Sequence, residues 1–257
     1  MDAPSEEPHG RRIQSVEIAF SIIEVLQRQD HTTVTEIAEE LGHSKSTVHS
    51  HLRTLEDRKL LVKEDDGYRL SLKILDMAET VRSQIGNYDV IKSEVDSLAA
   101  EIGEIGQFGI EEHGMVSYLY KATGEQAVET VSHVGMQQPM YSTALGKSIL
   151  THLPDDRTDE IVQSMEFTPK TPNTITSSEE LREELDRVAE RGYATDDEEN
   201  VEGLRCVAAP VTSDETVLGA ISVSGPSSRI TDERLHGELA DSVQRTANII
   251  ELNTKFS

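Results

Sequence analysis

The residues with the types and spacing to do chemistry fall into a few small sets. Cys206 is the sole cysteine of 257 residues. A lone thiol is a nucleophile or redox sensor only where a neighbouring base lowers its pKa. Its place in the strand-like run RCVAAPV is equally that of a small buried side chain. Ser222 and Ser224 stand two apart in ISVSG, so on a strand both hydroxyls point to one face and need polar partners or a ligand there. Asp196 opens the run DDEEN, whose Asp197 and Glu198 read as solvated surface. A metal site from Asp196, Glu199 and a distant histidine has no ligand spacing to argue for it. TALGKS lacks the preceding glycine that a phosphate-binding loop needs. His49 and His51, at i and i+2, cannot ligate one ion from one helix face. No catalytic residue, metal or cofactor is expected from these sets.

A different chemistry is written into SKSTVHSHLRTLEDRKLLVKEDDGYRL, residues 44–70. Val48, Leu52 and Leu55 make one apolar helical stripe, with His51 at its edge as a packed histidine. The opposite face offers Ser46, Ser50 and Arg53, with Lys45, Thr47 and His49 near its N-terminal end. A small, polar, partly basic face is what a helix entering a DNA major groove presents. Ser44 serves as N-cap and joins the candidate DNA contacts, as does Thr33 at the start of the preceding helix. Lys63 and Arg69 are positioned as phosphate contacts, which fix register without reading sequence.

These side chains need elements to place them. RIQSVEIAFSIIEVLQR puts Ile13, Val16, Ala19, Phe20, Ile23 and Leu26 on one stripe of an amphipathic helix. In TTVTEIAEELG, Thr33 and Glu36 form a capping box, Gly42 is a stop, and Ile37, Ala38 and Leu41 form the buried side. The short turn to the Ser44 helix matches helix-turn-helix geometry. Asp66-Gly67, flanked by alternating apolar residues, signals a hairpin, that is, a wing. Residues 75–102 read as a helical linker broken at Gly86-Asn87, and as a candidate dimerisation helix. Beyond it, Phe108–Ile110, Met115–Tyr120 and Val128–Val131 read as antiparallel strands. Helices are expected over Leu145–Leu153, Asp156–Met165 and SSEELREELDRVAERG, then strands over Tyr193–Asp196, Arg205–Val211 and Val217–Val223. A long helix, Thr231–Leu252, closes the chain. The fold class is α+β in two domains: a disordered tail over 1–11, a winged helix-turn-helix over 12–74, the linker, and a sensor-like domain over 103–257.

Composition bounds the setting. There are 48 acidic against 24 basic residues, a formal net charge of -24, and no tryptophan. Residues 1–75 carry 14 acids and 10 bases, whereas 76–257 carry 34 and 14, so the DNA-facing module is the less acidic part. Acids dispersed over helix faces are those of an ordinary acidic mesophilic protein or, as we read them, of a concentrated-salt cytoplasm, where the Debye length shrinks to about 3 Å at molar ionic strength. Long-range repulsion from DNA is then screened, and binding rests on short-range contacts with little gain from counterion release. With neither an apolar run of membrane-spanning length nor a signal-peptide pattern, a soluble cytoplasmic protein is expected.

The chain resembles the IclR-type transcriptional regulators from about Ile13 to about Ile250. VTEIAEELGHSKSTVHSHLRTLEDRKLL, YSTALGKSILTHLP, and GYATDDEENVEGLRCVAAPV followed by VLGAISVSGPSSRIT carry the likeness, in the family's order and spacing. The resemblance implies an N-terminal winged helix, a GAF-like C-terminal antiparallel sheet with flanking helices that binds an effector, and a homodimer or dimer of dimers on an inverted-repeat operator. It implies an effector pocket with Ala144 and Leu145 as one wall and Asp196, Cys206, Ser222 and Ser224 as polar contacts. Ser50 stands where many members carry arginine, so their operator sequences do not transfer.

The function implied is a regulator whose affinity for double-stranded DNA responds to a small metabolite, by resemblance one of carbon-catabolic genes. Ser222, Ser224 and Asp196 point to a hydroxylated or keto compound, such as a sugar acid. Two other classes stand beside it: an enzyme using Cys206 in the C-terminal pocket, and a protein–protein adaptor that has lost DNA binding.

Overall fold

The computed structural model describes residues 12–29, 31–214 and 216–255. The tail expected over residues 1–11 lies outside the described residues. The chain forms two compact units, the first ending at Gly86 and the second starting at Asn87.

The first unit runs α1 (Gln14–Arg28), α2 (Val34–Leu41), α3 (Lys45–Asp57), β1 (Leu61–Glu64), β2 (Gly67–Leu70) and α4 (Lys73–Gln84). Both sides of the Thr33–Glu36 capping box are made, and Gly42 ends α2 in the left-handed conformation at φ 67°, which turns the chain into α3. Val48, Leu52 and Leu55 are buried against Ile37, Ala38 and the inner face of α1. That inner face matches the expected stripe only at Leu26, with Ala19 and Ile23 half-buried at its margin. Ile18, Ile22, Val25 and Leu26 are buried, whereas Ile13, Phe20 and Val16 are 66%, 62% and 47% exposed. α1 is apolar on more than one side, and periodicity cannot choose which side faces α2 and α3. Leu41 is only half-buried, as is His51, whose Nδ1 pairs with the Thr47 carbonyl at 2.8 Å.

The wing forms where the hairpin signal lies. Its register pairs Glu64 with Gly67, so the two-residue turn is Asp65-Asp66 and Gly67 closes it. Backbone bonds in both directions between Thr32 and Tyr68 pin the hairpin to the α1–α2 connection. No residue of α4 is buried.

The second unit begins with α5 (Tyr88–Ile102), so the expected linker divides. Ile91, Val95, Leu98, Ala99 and Ile102 are buried, which makes α5 part of the C-terminal core. There follow β3 (Ile105–Glu112), β4 (Met115–Thr123), β5 (Gln137–Pro139), α6 (Ala144–Leu150), α7 (Asp155–Ser164), α8 (Ser178–Arg191), β6 (Ala194–Asp197), β7 (Leu204–Ser213) and β8 (Thr216–Pro226). The strands form one antiparallel sheet in the order β5-β4-β3-β8-β7-β6. A Cβ on Gly106 would meet Val95 and Ala99 of α5, and one on Gly109 would meet Leu145 of α6. Alternate residues of β3 point to opposite faces, so the two helices cover opposite sides of the sheet. Gly146 has no room for a side chain, because the backbone of Met140 lies against it.

The closing helix runs from α9 (Asp232–Arg234) through a π-helical turn (Leu235–Leu239) into α10 (Ala240–Lys255), which packs beside α5. Residues 128–131 are not a strand. β4 ends at Thr123 and pairs at its outer edge with β5 over Met115–Ser117, and residues 128–131 join no ladder. Instead Lys121 Nζ holds the segment, donating to Thr130 Oγ1 at 3.0 Å and the Ser132 carbonyl at 2.7 Å. No helix among the described residues is long and apolar enough to cross a membrane.

Candidate functional site

α3 presents Lys45, Ser46, His49, Ser50 and Arg53 as an exposed face. Several of its hydroxyls are already engaged. Ser44 Oγ accepts from the Thr47 amide at 3.1 Å, and the two hydroxyls pair at 2.8 Å. Ser50 Oγ donates back to the Ser46 carbonyl at 2.9 Å. Thr33 is committed to the capping box through Glu36. Lys45, Ser46, His49 and Arg53 remain, and among the described residues none of them joins an ion pair. An unpaired cationic edge on a helix with a buried apolar stripe is the geometry that base reading needs.

The wing differs in charge from the expectation. Arg69, read as a phosphate contact, donates Nε to Glu64 Oε1 at 2.6 Å and an Nη to the Leu70 carbonyl at 3.2 Å. Its charge is offset before any phosphate arrives. Lys63 stays exposed, 6.0 Å from the Tyr68 ring centroid. At the wing tip His31 Nδ1 lies 3.1 Å from Glu64 and 3.4 Å from Asp66. These three are a group whose ligand atoms could hold an ion, and exposed acidic groups commonly gather in this way without one.

In the second unit a cavity of about 540 Å³ opens at one end of the sheet. Sequence register explains it. Asp196, Cys206 and Ser224 are successive partners across β6, β7 and β8, and Ala208, Ser222 and Gln107 are successive partners one step along. This face is built from small side chains. α6 fills part of the hollow: Ala144 and Leu145 join Ala208 and Ala220 in the core. Cys206, Ser224 and Gln107 line the part left open, with Tyr118, Met136, Gln138, Lys170, Asn200 and the segment 128–132 around it. Of the six expected effector contacts, then, only Cys206 and Ser224 reach the cavity wall. Ser222 is buried with its hydroxyl unpartnered.

Asp196 lies behind that wall, 3% exposed, its Oδ1 accepting from the amides of Glu199 (2.8 Å) and Asn200 (3.2 Å). Burial, then the charge of Glu199, push its carboxyl up to about 7, against the pull of Lys147 and the two amides. Lys147 is fully buried and its Nζ donates to Glu199 Oε1 at 2.5 Å. Burial raises the Glu199 carboxyl too, opposed by Lys147. The Cys206 thiol is driven well up by burial and by Asp196, with Ser224 opposing. A thiol held protonated is the opposite of an activated nucleophile.

The C-terminal family described as "Bacterial transcriptional regulator IclR C-terminal" matches residues 81–252, and the "IclR helix-turn-helix domain" matches residues 15–65. The chain belongs to the IclR family of transcriptional regulators. A probable HTH-type transcriptional regulator ArcR of Halobacterium salinarum is 33% identical, with 94% of each chain covered. The HTH-type transcriptional regulator KdgR of Escherichia coli is 32% identical over 89% of this chain and 88% of that one. The crystal structure of the Thermotoga maritima IclR matches with a TM-score of 0.79 at 30% identity, covering 93% of this chain and 98% of that one. An IclR homologue from Microbacterium hydrocarbonoxydans, solved in complex with 4-hydroxybenzoate, has a TM-score of 0.81 at 19% identity, covering 95% and 100%, and shares the fold.

As an IclR-family member the chain is a DNA-binding regulator with a C-terminal effector-binding domain, not an enzyme. Sequence reasoning did not find Gln107 or Lys170. Gln107 had a signal: a lone amide in the apolar strand IGQFGI, 4% exposed in the fold. Lys170 had none, because its neighbours Gln138 and Asn200 come from distant parts of the chain.

Proposed function

We propose that this protein is a cytoplasmic, metabolite-responsive regulator that binds an inverted-repeat operator as a homodimer or dimer of dimers and controls carbon-catabolic genes. The observation that carries it is the exposed face of α3, where Lys45 and Arg53 stand unpaired on a chain of net charge -24. Unpaired cations on so acidic a chain make sense against a polyanion. The cavity supplies the second half of the reading. An effector with different affinity for two arrangements of the dimer shifts the protein's affinity for DNA. A small hydroxy or keto acid suits its hydroxyl and amide groups. The 4-hydroxybenzoate complex of the Microbacterium homologue supports a small carboxylate, and the likeness to KdgR and to XynR of E. coli supports a catabolic role.

A second copy is the partner proposed for the uncovered apolar surface of the first unit. Ile13 at the N-cap of α1, Val16 and Phe20 of α1, and Leu75, Met77 and Val81 of α4 are all exposed. Fluorescence anisotropy on DNA from the gene's own upstream region, in molar KCl against scrambled DNA, tests the proposal. Preference for the native sequence, weakened by Arg53→Ala and Lys45→Ala, is the expected result. Equal binding to both DNAs by a folded dimer, there and in a genome-wide selection of bound fragments, would count against it.

A further inference from the structure

We propose that Lys170 is the anion-binding residue of the cavity, and that its ligand is a monocarboxylate with an apolar body rather than a polyhydroxylated acid. This rests on reading the cavity as the effector site, and narrows the effector class.

Lys170 supplies a cation to a wall that is otherwise neutral apart from the exposed Glu129 and Glu202. Its Nζ donates to Gln138 Oε1 at 2.8 Å and to Asn200 Oδ1 at 2.5 Å. Both acceptors are amide oxygens, so two of three ammonium donors are satisfied while none of the charge is neutralised. Partial burial lowers the Lys170 pKa, which Asp196 opposes. Asp196 is not its contact partner: among the described residues Lys170 joins no ion pair, and Asp196 Oδ1 accepts from the Glu199 and Asn200 amides. An exposed ammonium with a donor to spare and no carboxylate in contact is a site for an incoming carboxylate.

The lysine is also held in place. Thr174 Oγ1 accepts from the amides of Lys170 (3.0 Å) and Thr171 (2.9 Å) and donates to the Glu199 carbonyl at 2.6 Å. Thr171 Oγ1 donates to the Glu198 carbonyl at 2.6 Å, and Asn173 Nδ2 to the Asp197 carbonyl at 3.0 Å. The turn 170–174 is thus stitched to the run 197–199, and ligand binding need not order it.

The rest of the wall decides the body of the ligand. Ser224 Oγ donates to Gln107 Oε1 at 3.3 Å, and Gln107 Nε2 donates to Ser132 Oγ at 3.1 Å. That chain links its own members to one another. Val128, Val131, Met136, Val201, Leu204 and Pro226 form the apolar part of the wall, beside Tyr118, Thr130 and Cys206. Among them Val131 is 83% exposed, apolar surface that a ligand would cover. Several hydroxyls set against these side chains would lose water without gaining partners.

Calorimetry on the full chain tests this with 4-hydroxybenzoate, 2-hydroxy-4-methylpentanoate and gluconate, and with 4-hydroxybenzamide as the uncharged match. We expect at least one apolar-bodied acid to bind more tightly than gluconate and than the amide. Lys170→Met should weaken that acid roughly tenfold to a hundredfold, the worth of one charge-assisted hydrogen bond, and Lys170→Arg should keep most of the affinity. Lys170→Met binding the acids like the parent protein, or the amide matching its acid, overturns the anion assignment. Gluconate binding best overturns the apolar body, and failure of every acid to bind overturns both. Anisotropy on operator DNA run alongside keeps the two readings apart. An acid that binds through Lys170 without changing DNA affinity leaves the site standing and removes the effector role. A DNA response that survives in Lys170→Met does the reverse.

Discussion

Asp196 and Cys206 are register partners on adjacent antiparallel strands, and Cys206 is in turn the partner of Ser224. The pairing places a buried carboxyl behind the cavity wall, where its charge is costly and its proton is easily kept.

A pH dependence follows from that carboxyl. Its folded pKa is pushed up to about 7, against an ordinary 3.8. A folded state that binds the proton more tightly than the unfolded state loses stability as pH rises from about 4 to about 7. Urea unfolding of the parent protein and Asp196→Asn across that range should show the parent losing ground to the variant by up to a few kcal/mol. A constant difference would mean Asp196 titrates normally.

The Lys147–Glu199 pair makes the second prediction. Removing one partner of a buried ion pair leaves an uncompensated charge and costs about 3–5 kcal/mol. Lys147→Met should therefore be strongly destabilising, because it strands Glu199 beside Asp196. Lys147→Met combined with Glu199→Gln should recover much of the loss. Additive effects in that cycle would show the two side chains to be independent.

On DNA, Arg53 and Lys63 should behave differently. Arg53→Ala should cost about 1–3 kcal/mol on the operator and relax preference at one base position. Lys63→Ala should weaken native and scrambled DNA alike, as loss of a phosphate contact does. Arg69→Ala should have the smallest effect of the three, because Glu64 already offsets its charge. Anisotropy titrations on both DNAs separate these outcomes.

The exposed apolar faces of α1 and α4 predict assembly. Phe20→Asp and Val81→Asp change residues that are 62% and 54% exposed, so the fold of the protomer should survive them. Sedimentation velocity should show a shift toward monomer, with circular dichroism unchanged. Variants that sediment like the parent protein would place the contact between copies elsewhere.

Much of this protein was determined by its sequence alone. The capping box at Thr33, the stop at Gly42 and the N-cap at Ser44 are local chemistry, set by residues within a few positions of one another, and all formed where they were read, while the wing turn formed one residue earlier, at Asp65-Asp66. The small-residue pattern that pairs Ser222 with Ser224 on one face is likewise a property of a strand by itself. Only the tertiary structure decided which apolar side of α1 is buried, since that depends on where α2 and α3 lie. It also decided that residues 128–131 have no strand to join, and that α6 covers Ser222 while leaving Ser224 open. Lys170 meets Gln138 and Asn200 across about thirty residues of chain in each direction. No periodicity or spacing spans such a distance, because the contact is made by the sheet and its loops rather than by neighbours in sequence.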